Sequence, residues 1–225
     1  MNSPTAGYYE EKPEYYFGGC RHDYVDCLPE NPNASILEIG CAHGNTGALA
    51  LTLGKCGQYV GVEISPTVAE IAREKLTDVL VGNIEEIELP FAPASFDALI
   101  ISEVLEHLID PWKVVQKLSP FIKPGGAVFA SSPNISHYSV IKELIHGRWE
   151  LAEDGAMDRT HLRWFTPSLY ADLFEQAGFS VEEVRPVTPF GSRTRFINQM
   201  TGNRFRHLFM RQISIRGRKQ HDPAG

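Results

Sequence analysis

Cysteines and long apolar runs are both scarce in this chain, so a disulfide framework, membrane spanning and secretion are not expected. It holds only four cysteines, Cys20, Cys27, Cys41 and Cys56, with no C-x-x-C pair among them. A chain of 225 residues with so few thiols needs no disulfide framework. Long hydrophobic runs are missing as well. The most apolar stretch, Ala98 to Leu105, is broken by Glu103, whereas a membrane-spanning helix needs about 20 apolar residues in a row. The first residues, Met1 to Thr5, carry neither the basic region nor the apolar core of a secretory leader. A cytoplasmic location is the expectation. No repeat or linker interrupts the sequence, and 43% hydrophobic content over this length fits one globular domain.

The most informative stretch runs from Ile36 to Gly47. Ile36-Leu37-Glu38-Ile39 reads as a buried strand of a parallel sheet, and it passes straight into a glycine-rich turn. Gly40 and Gly44 lack a Cβ, so the backbone can turn tightly and approach a ligand closely. Asn45 or Thr46 can cap a helix through Ala48 to Leu51, whose free N–H groups would face that ligand. The glycines, at 40, 44 and 47, depart from the G-x-G-x-x-G dinucleotide fingerprint. A nicotinamide or flavin is therefore disfavoured, and an ordinary turn with no ligand stays open.

Further strands follow at α/β spacing. Tyr59 to Ile64 reads as a second strand with Glu63 near its carboxyl end, beside the first turn, where a carboxylate can accept from two ribose hydroxyls. Ser65-Pro66 then opens a helix over 67–76. Val79-Leu80-Val81 is a third strand. After it Asn83 can read an adenine edge while Ile84 packs on the ring. Ser95 to Leu108 is a fourth strand passing into a short helix, Pro111 to Leu118 is a helix, and Ala127 to Ser131 is a fifth strand beyond a glycine break.

The motifs E-I-G-C-A-H-G (Glu38 to Gly44), V-G-V-E (Val60 to Glu63), S-F-D-A-L-I-I-S-E-V-L-E-H-L (Ser95 to Leu108) and L-S-P-F-I-K-P-G-G (Leu118 to Gly126) occur in that order. As a set they resemble the class I S-adenosylmethionine-dependent methyltransferases over about residues 34 to 186. The resemblance implies an α/β Rossmann-like fold: a doubly wound, mostly parallel, seven-stranded sheet with an antiparallel last strand. It also implies S-adenosylmethionine as cofactor and S-adenosylhomocysteine as product. By it, Gly40, Cys41, Ala42 and Gly44 line the methionine part, and Glu38 holds that part through water or its amino group. Glu63 and Ile64 meet the ribose, Asn83, Ile84 and Glu85 surround adenine, and Ser102 and Glu103 close the pocket. Residues 1–33 resemble a lid in which Tyr16 or a neighbouring aromatic covers the sulfonium and Arg21 meets the carboxylate. Ala42 and Asn83 depart from the family's usual glycine and aspartate.

The substrate region falls on an insertion at about 133–165. It holds His137, His146 and His161, and Asp158 to Thr166 resembles a D-x-T-H-x-R-x-F-T pattern of glycan-cluster and ubiquinone-type relatives. His161 is the favoured base for a hydroxyl acceptor, with His137 the second candidate; a hydrogen-bonding strut is the plain alternative. Glu103, Glu106 and His107, at i, i+3 and i+4, would share one face of a helix. With His161 they would suit Mg²⁺ or Mn²⁺, as similar sets do in RNA 2′-O-methyltransferases and ubiquinone-type relatives; helix capping without metal is the other reading. Helix 168–176 ends at Gly178, Phe179 to Val184 is a sixth strand, and Leu208 to Ile215 a seventh beyond a long loop.

Acid is scarce at the end of the chain. After Pro186 seven arginines and Lys219 face Asp222 alone, so that segment carries about +7 and the remainder about −14. An anionic, phosphate-bearing small molecule such as a nucleotide sugar or lipid-linked glycan would suit the arginines; solvated charges on an exposed strand and a basic tail, 216–225, would serve equally. Nucleic acid is only weakly indicated. The expected function is methyl transfer to a hydroxyl of a glycan or nucleotide-sugar intermediate. RNA 2′-O-methyl transfer and a non-catalytic cofactor-binding module are the alternatives.

Overall fold

The computed structural model describes residues 17–221. Seven strands form one sheet: β1 Ser35–Ile39, β2 Gln58–Glu63, β3 Asp78–Val81, β4 Phe96–Ser102, β5 Ile122–Pro133, β6 Phe179–Pro186 and β7 Gln212–Lys219, in the order β3-β2-β1-β4-β5-β7-β6. Only β7 runs against its neighbours, pairing antiparallel with both β5 and β6. The strand order reverses between β1 and β4, and in doubly wound sheets the crevice at the carboxyl ends of such a pair takes the ligand.

Alternation along the strands builds a core on each face. Leu37, Ile39, Val62, Leu99, Ile101 and Val128 face α4 (Pro111–Leu118) and α6 (Pro167–Gln176). Ile36, Tyr59, Ile100 and Phe129 pack against α1 (His22–Val25), α2 (Asn45–Thr52) and α3 (Pro66–Arg73). Tyr24, Val25 and Leu28 are buried in this second core, so 22–28 is a structural part of the domain and not lid alone.

Several boundaries follow their chemistry. Ser65 caps α3 through Val68 N, with Pro66 in the first turn, and Thr166 caps α6 through Leu169 N. Gly178, at φ +82°, makes the left-handed turn that ends α6. Others differ from expectation. Neither Asn45 nor Thr46 caps α2; Gly44, at φ +72°, stands there without a side-chain cap. Asn45 instead donates to Gly18 O and accepts from Lys75, while Thr46 Oγ1 accepts from Arg21 N.

The end of the chain departs most. The expected loop from Pro186 to His207 contains α7 (Ser192–Met200), and Arg206–Phe209 coils as a 3₁₀ helix, so β7 starts at Gln212 and runs past Ile215 to Lys219. Buried Asn134 donates from Nδ2 to the carbonyls of His207 and Met210, holding that coil against the end of β5. Arg216 and Arg218 are therefore sheet residues and not a tail. Arg216 lies within 4.0 Å of Glu182 and 3.7 Å of Glu183, and Arg218 bonds Glu182 and Gly125 O. No helix among the described residues is long and apolar enough to cross a membrane.

Candidate functional site

A cavity of about 830 Å³, large for a small-molecule site, opens at the carboxyl ends of β1, β2, β4 and β5. It has two halves. The first is built on the turn after β1. Gly40 sits at φ +71°, and a Cβ there would stand 2.5 Å from Val104 Cγ2. Gly40 N and Cys41 N donate to Val62 O, stitching the turn onto β2. Ala42, at φ +49°, donates to Glu63 Oε2, and Ser65 N donates to Oε1 of the same carboxylate. Glu63 is thus aimed by backbone donors on both oxygens. Burial still raises its pKa, against the pull of those donors.

Glu38 lies deeper. It is buried, accepts from Tyr59 OH at 2.8 Å, and is pushed up to about 8 by burial, with the Tyr59 bond and the Arg21 charge opposing. Such a carboxyl gains most when a cation arrives beside it. Cys41 is buried and its thiol is pushed up by burial, which makes it wall and not nucleophile. Ile64, Asn83, Ile84 and Glu85 complete this half. Asn83 builds its own loop, accepting from Glu85 N and donating to Glu86. Glu85 accepts from Ile109 N and Asp110 N, so it ties the loop to the start of α4.

Tyr16 lies outside the described residues; of the expected aromatic lid, Phe17 lines the cavity, its ring 5.8 Å from His43. Arg21 lines it too, but the guanidinium is engaged. Nη1 donates to Ser102 Oγ and Ser131 Oγ at 2.6 Å each, Nε and Nη2 bind Asp23, and Tyr24 lies 3.6 Å beneath. Ser102 thus holds Arg21 as well as closing the wall.

The second half gathers Glu103, Glu106, His107, His137, Asp158, His161, Arg211 and Gln212. The expected single helical face is not formed. Glu103 sits at φ +55° and only Leu105–His107 winds, as 3₁₀. That geometry separates Glu103 from the others. Glu106, His107 and His161, all buried, each bring one ligand atom within 4.8 Å of the other two, and Glu103 is not of that set. The imidazoles of His107 and His161 meet edge to face at 4.7 Å. Nδ1 of His161 contacts Ala156 O at 3.4 Å and Nδ1 of His107 contacts Thr160 O at 3.3 Å. A carbonyl partner requires hydrogen on Nδ1 and leaves the lone pair on Nε2.

Glu103 Oε2 accepts from Gln212 Nε2 at 3.0 Å and Glu106 Oε2 from Ser132 Oγ at 3.1 Å. The other oxygen of each carboxyl is buried with no hydrogen bond among the described residues. Burial raises both, and the Glu103 charge raises Glu106 further. His137 differs from its expected role. It caps α5 (Tyr138–Ile145), its Nδ1 accepting from Ser139 N, and burial with the Arg211 charge lowers its pKa. A neutral cap of this tautomer has its acceptor nitrogen already in use, which disfavours it as base. His146 is exposed and bonds Lys142 O.

Arg211 and Gln212 were not singled out for the site by sequence reasoning. Their one sequence signal is the acid-free stretch in which Arg211 lies.

The family described as Methyltransferase domain matches residues 13–184. A ubiquinone biosynthesis O-methyltransferase of Xanthomonas campestris pv. campestris (strain B100) is 30% identical over 130 residues, 55% of this chain and 53% of that protein. The match thus spans about half the length of that relative. A ubiquinone biosynthesis O-methyltransferase of Paraburkholderia phymatum is 29% identical over 186 residues, 80% of this chain and 78% of that protein. Among solved structures, an S-adenosylmethionine-dependent methyltransferase from Archaeoglobus fulgidus has a TM-score of 0.63 at 22% identity, covering 92% of this chain and 97% of that one. At that identity the likeness is one of fold.

Proposed function

The chain belongs to the class I S-adenosylmethionine-dependent methyltransferases, and on that premise we propose that it transfers a methyl group to a hydroxyl oxygen of a small molecule. The observation that carries this reading is one cavity with the Glu38, Gly40 and Glu63 wall at one end and the His161 cluster at the other. The first wall suits the cofactor. Gly40 leaves the space a Cβ would fill, Glu63 presents a carboxylate to a diol, and Glu38 is a buried carboxyl that ionises to meet an ammonium. When bound, the cofactor supplies an electrophilic methyl group on a sulfonium, a strong leaving group.

The chain's own task is then alignment and proton removal. His161, with its lone pair on Nε2, takes the proton from the acceptor hydroxyl as oxygen bonds to the methyl carbon and the carbon–sulfur bond breaks. Glu106 accepts hydrogen bonds from the acceptor and offsets the imidazolium charge. Glu106, His107 and His161 also fit the Mg²⁺ or Mn²⁺ expected from the sequence, one carboxylate and two imidazoles suiting Mn²⁺ better than oxygen-preferring Mg²⁺. Bound there, a divalent cation would take the His161 lone pair and would itself lower the pKa of a coordinated hydroxyl, so that metal and imidazole base are alternatives at this cluster.

The relatives named for ubiquinone biosynthesis support a hydroxylated aromatic acceptor. The glycan or nucleotide-sugar expectation loses part of its ground, because Arg216 and Arg218 bond within the sheet and Lys219 bonds Ser119 Oγ. The buried base cluster favours catalysis over a non-catalytic module.

The test is methyl transfer from labelled S-adenosylmethionine to a catechol panel by wild type and His161→Ala. The expected loss in kcat is ~10²- to 10⁴-fold, with S-adenosylhomocysteine affinity kept. Unchanged turnover in His161→Ala would remove the base, and absence of S-adenosylhomocysteine binding by folded wild type would remove the function.

A further inference from the structure

We propose that Arg211 is the acceptor-recognition residue, binding an anionic substituent, a carboxylate or a phosphate, and thereby turning the acceptor's hydroxyl toward His161. This rests on the methyl-transfer reading of the same cavity. Three observations lead to it.

The first is placement. Arg211 joins the 3₁₀ coil at 206–209 to β7, and its carbonyl accepts from Asn134 N at 3.0 Å. Asn134 is fully buried and holds the two carbonyls at 207 and 210 as well. On the other side Gln212 is tied to Glu103. The backbone that presents this guanidinium is therefore fixed at the cavity wall from both directions.

The second is charge. The cavity wall carries Glu38, Glu63, Glu85, Glu103, Glu106 and Asp158 against two arginines. Arg21 is taken up by Asp23 and two serines. Arg211 forms no side-chain hydrogen bond or ion pair among the described residues, although Arg216 and Arg218 of the strand that follows it both do. Elsewhere in this cavity an anionic group finds carboxyl groups and an arginine already engaged. Beside Arg211 it meets a two-pronged donor whose geometry matches carboxylate and phosphate.

The third is reach. His137, Ser139 and Val187 line the cavity with Arg211, and its charge is felt at the His137 ring. His161 lies on the same cavity. An acceptor held in this one cavity can thus present its anion to Arg211 and its hydroxyl to the base, and the reversed pose leaves the anion without a guanidinium partner.

The experiment compares three catechols of one shape: 3,4-dihydroxybenzoate, 3,4-dihydroxybenzylphosphonate and the neutral 3,4-dihydroxybenzamide. The expected kcat/KM favours one or both anions over the amide by about tenfold, since Arg211 is solvent-exposed and screened. Arg211→Leu should bring the ratio to within about twofold, the anions losing more kcat/KM than the amide, and Arg211→Lys should keep part of the preference. The preferred anion identifies carboxylate or phosphate as the source. A ratio unmoved by Arg211→Leu, or an amide used as well as the anions, overturns the proposal. If no catechol is methylated, calorimetry of benzoate, phenylphosphonate and benzamide on S-adenosylhomocysteine-loaded protein decides separately. Anion binding lost in Arg211→Leu sustains the inference though the acceptor reading fails, and equal or absent binding of all three ends it.

Discussion

The two halves of the cavity are made in different ways. The half proposed for the cofactor is mostly backbone: one continuous turn after β1, stitched to Val62 O and used through its N–H groups to aim Glu63. The half proposed for the acceptor is mostly side chain, drawn from residues as far apart as Glu103 and Gln212, and two buried carboxyl oxygens there have no hydrogen bond among the described residues. A ligand common to a whole family suits the first construction, because backbone donors are indifferent to side-chain substitution. An acceptor that varies suits the second, where one side-chain change alters recognition without disturbing the turn.

The sharpest way to break this division is to damage one half and read the other. His161→Ala carries the largest expected effect, the loss of turnover stated above, with cofactor affinity within about twofold of wild type if the halves are independent. A large loss of S-adenosylhomocysteine binding in that variant would join them. Gly40→Ala is the reverse experiment. It puts a Cβ into Val104 and an alanine at φ +71°, for which overpacking and left-handed strain together cost about 2–4 kcal/mol. In a domain of this size the melting temperature should fall by roughly 5–15 °C. Cofactor affinity should fall at least about tenfold with it. A variant that melts and binds like wild type would show that the turn is not the constraint proposed.

The same division explains what could be read from the chain. Strand, turn and helix from Ile36 to Leu51 announce themselves within sixteen residues through hydrophobic run and glycine placement, and Glu38, Gly40, Glu63, Asn83 and Ile84, all legible from such local patterns, line one cavity. The caps at Ser65 and the turn at Gly178 are equally local. What was not legible depends on distant partners. The start of β7 is displaced because Asn134 binds carbonyls 73 and 76 residues away. The role of His137 turns on a cap two residues on, and the exclusion of Glu103 from the His107 cluster turns on one positive φ that no periodicity reveals. Arg211 looked like one charge among many until Arg216 and Arg218 were seen to have partners.

Glu38 gives a smaller effect and a pH signature. Because burial holds it near 8 in the free protein, it is protonated at neutral pH and must ionise to meet a ligand ammonium. Cofactor affinity should therefore rise as pH increases toward about 8 and level off above, by at most about tenfold per pH unit. Stability has the opposite sign. A folded pKa above the unfolded value contributes most below the ordinary glutamate range and is lost as pH rises toward about 8, since the unfolded chain ionises first. Glu38→Gln should flatten both profiles: a pH-independent, weaker affinity in calorimetry and a melting temperature that declines less between pH 5 and 8 (about three pH units). Parallel profiles for the two proteins would place the titrating group elsewhere.

Gln212→Leu is the finest probe, and the one most particular to the acceptor half. Its amide holds Glu103 at 3.0 Å in a conformation, φ +55°, that few non-glycine residues adopt. Removing that donor takes the hydrogen bond from Glu103 Oε2, and Oε1 has none among the described residues. The carboxyl then shifts or takes up a proton, while nothing in the turn after β1 is touched. The expected outcome is an acceptor KM raised about three- to tenfold, as for one hydrogen bond to a charged group in a partly wet site, with cofactor affinity unchanged. Gln212→Glu, which adds repulsion at the same distance, should be worse than leucine if Glu103 is ionised and better if it is protonated, because a protonated carboxyl can donate to the new carboxylate. Measured on the same catechol, that ordering reads the charge of Glu103 directly. A Gln212 variant that weakened the cofactor as much as the acceptor would show that the wall between the two halves is shared.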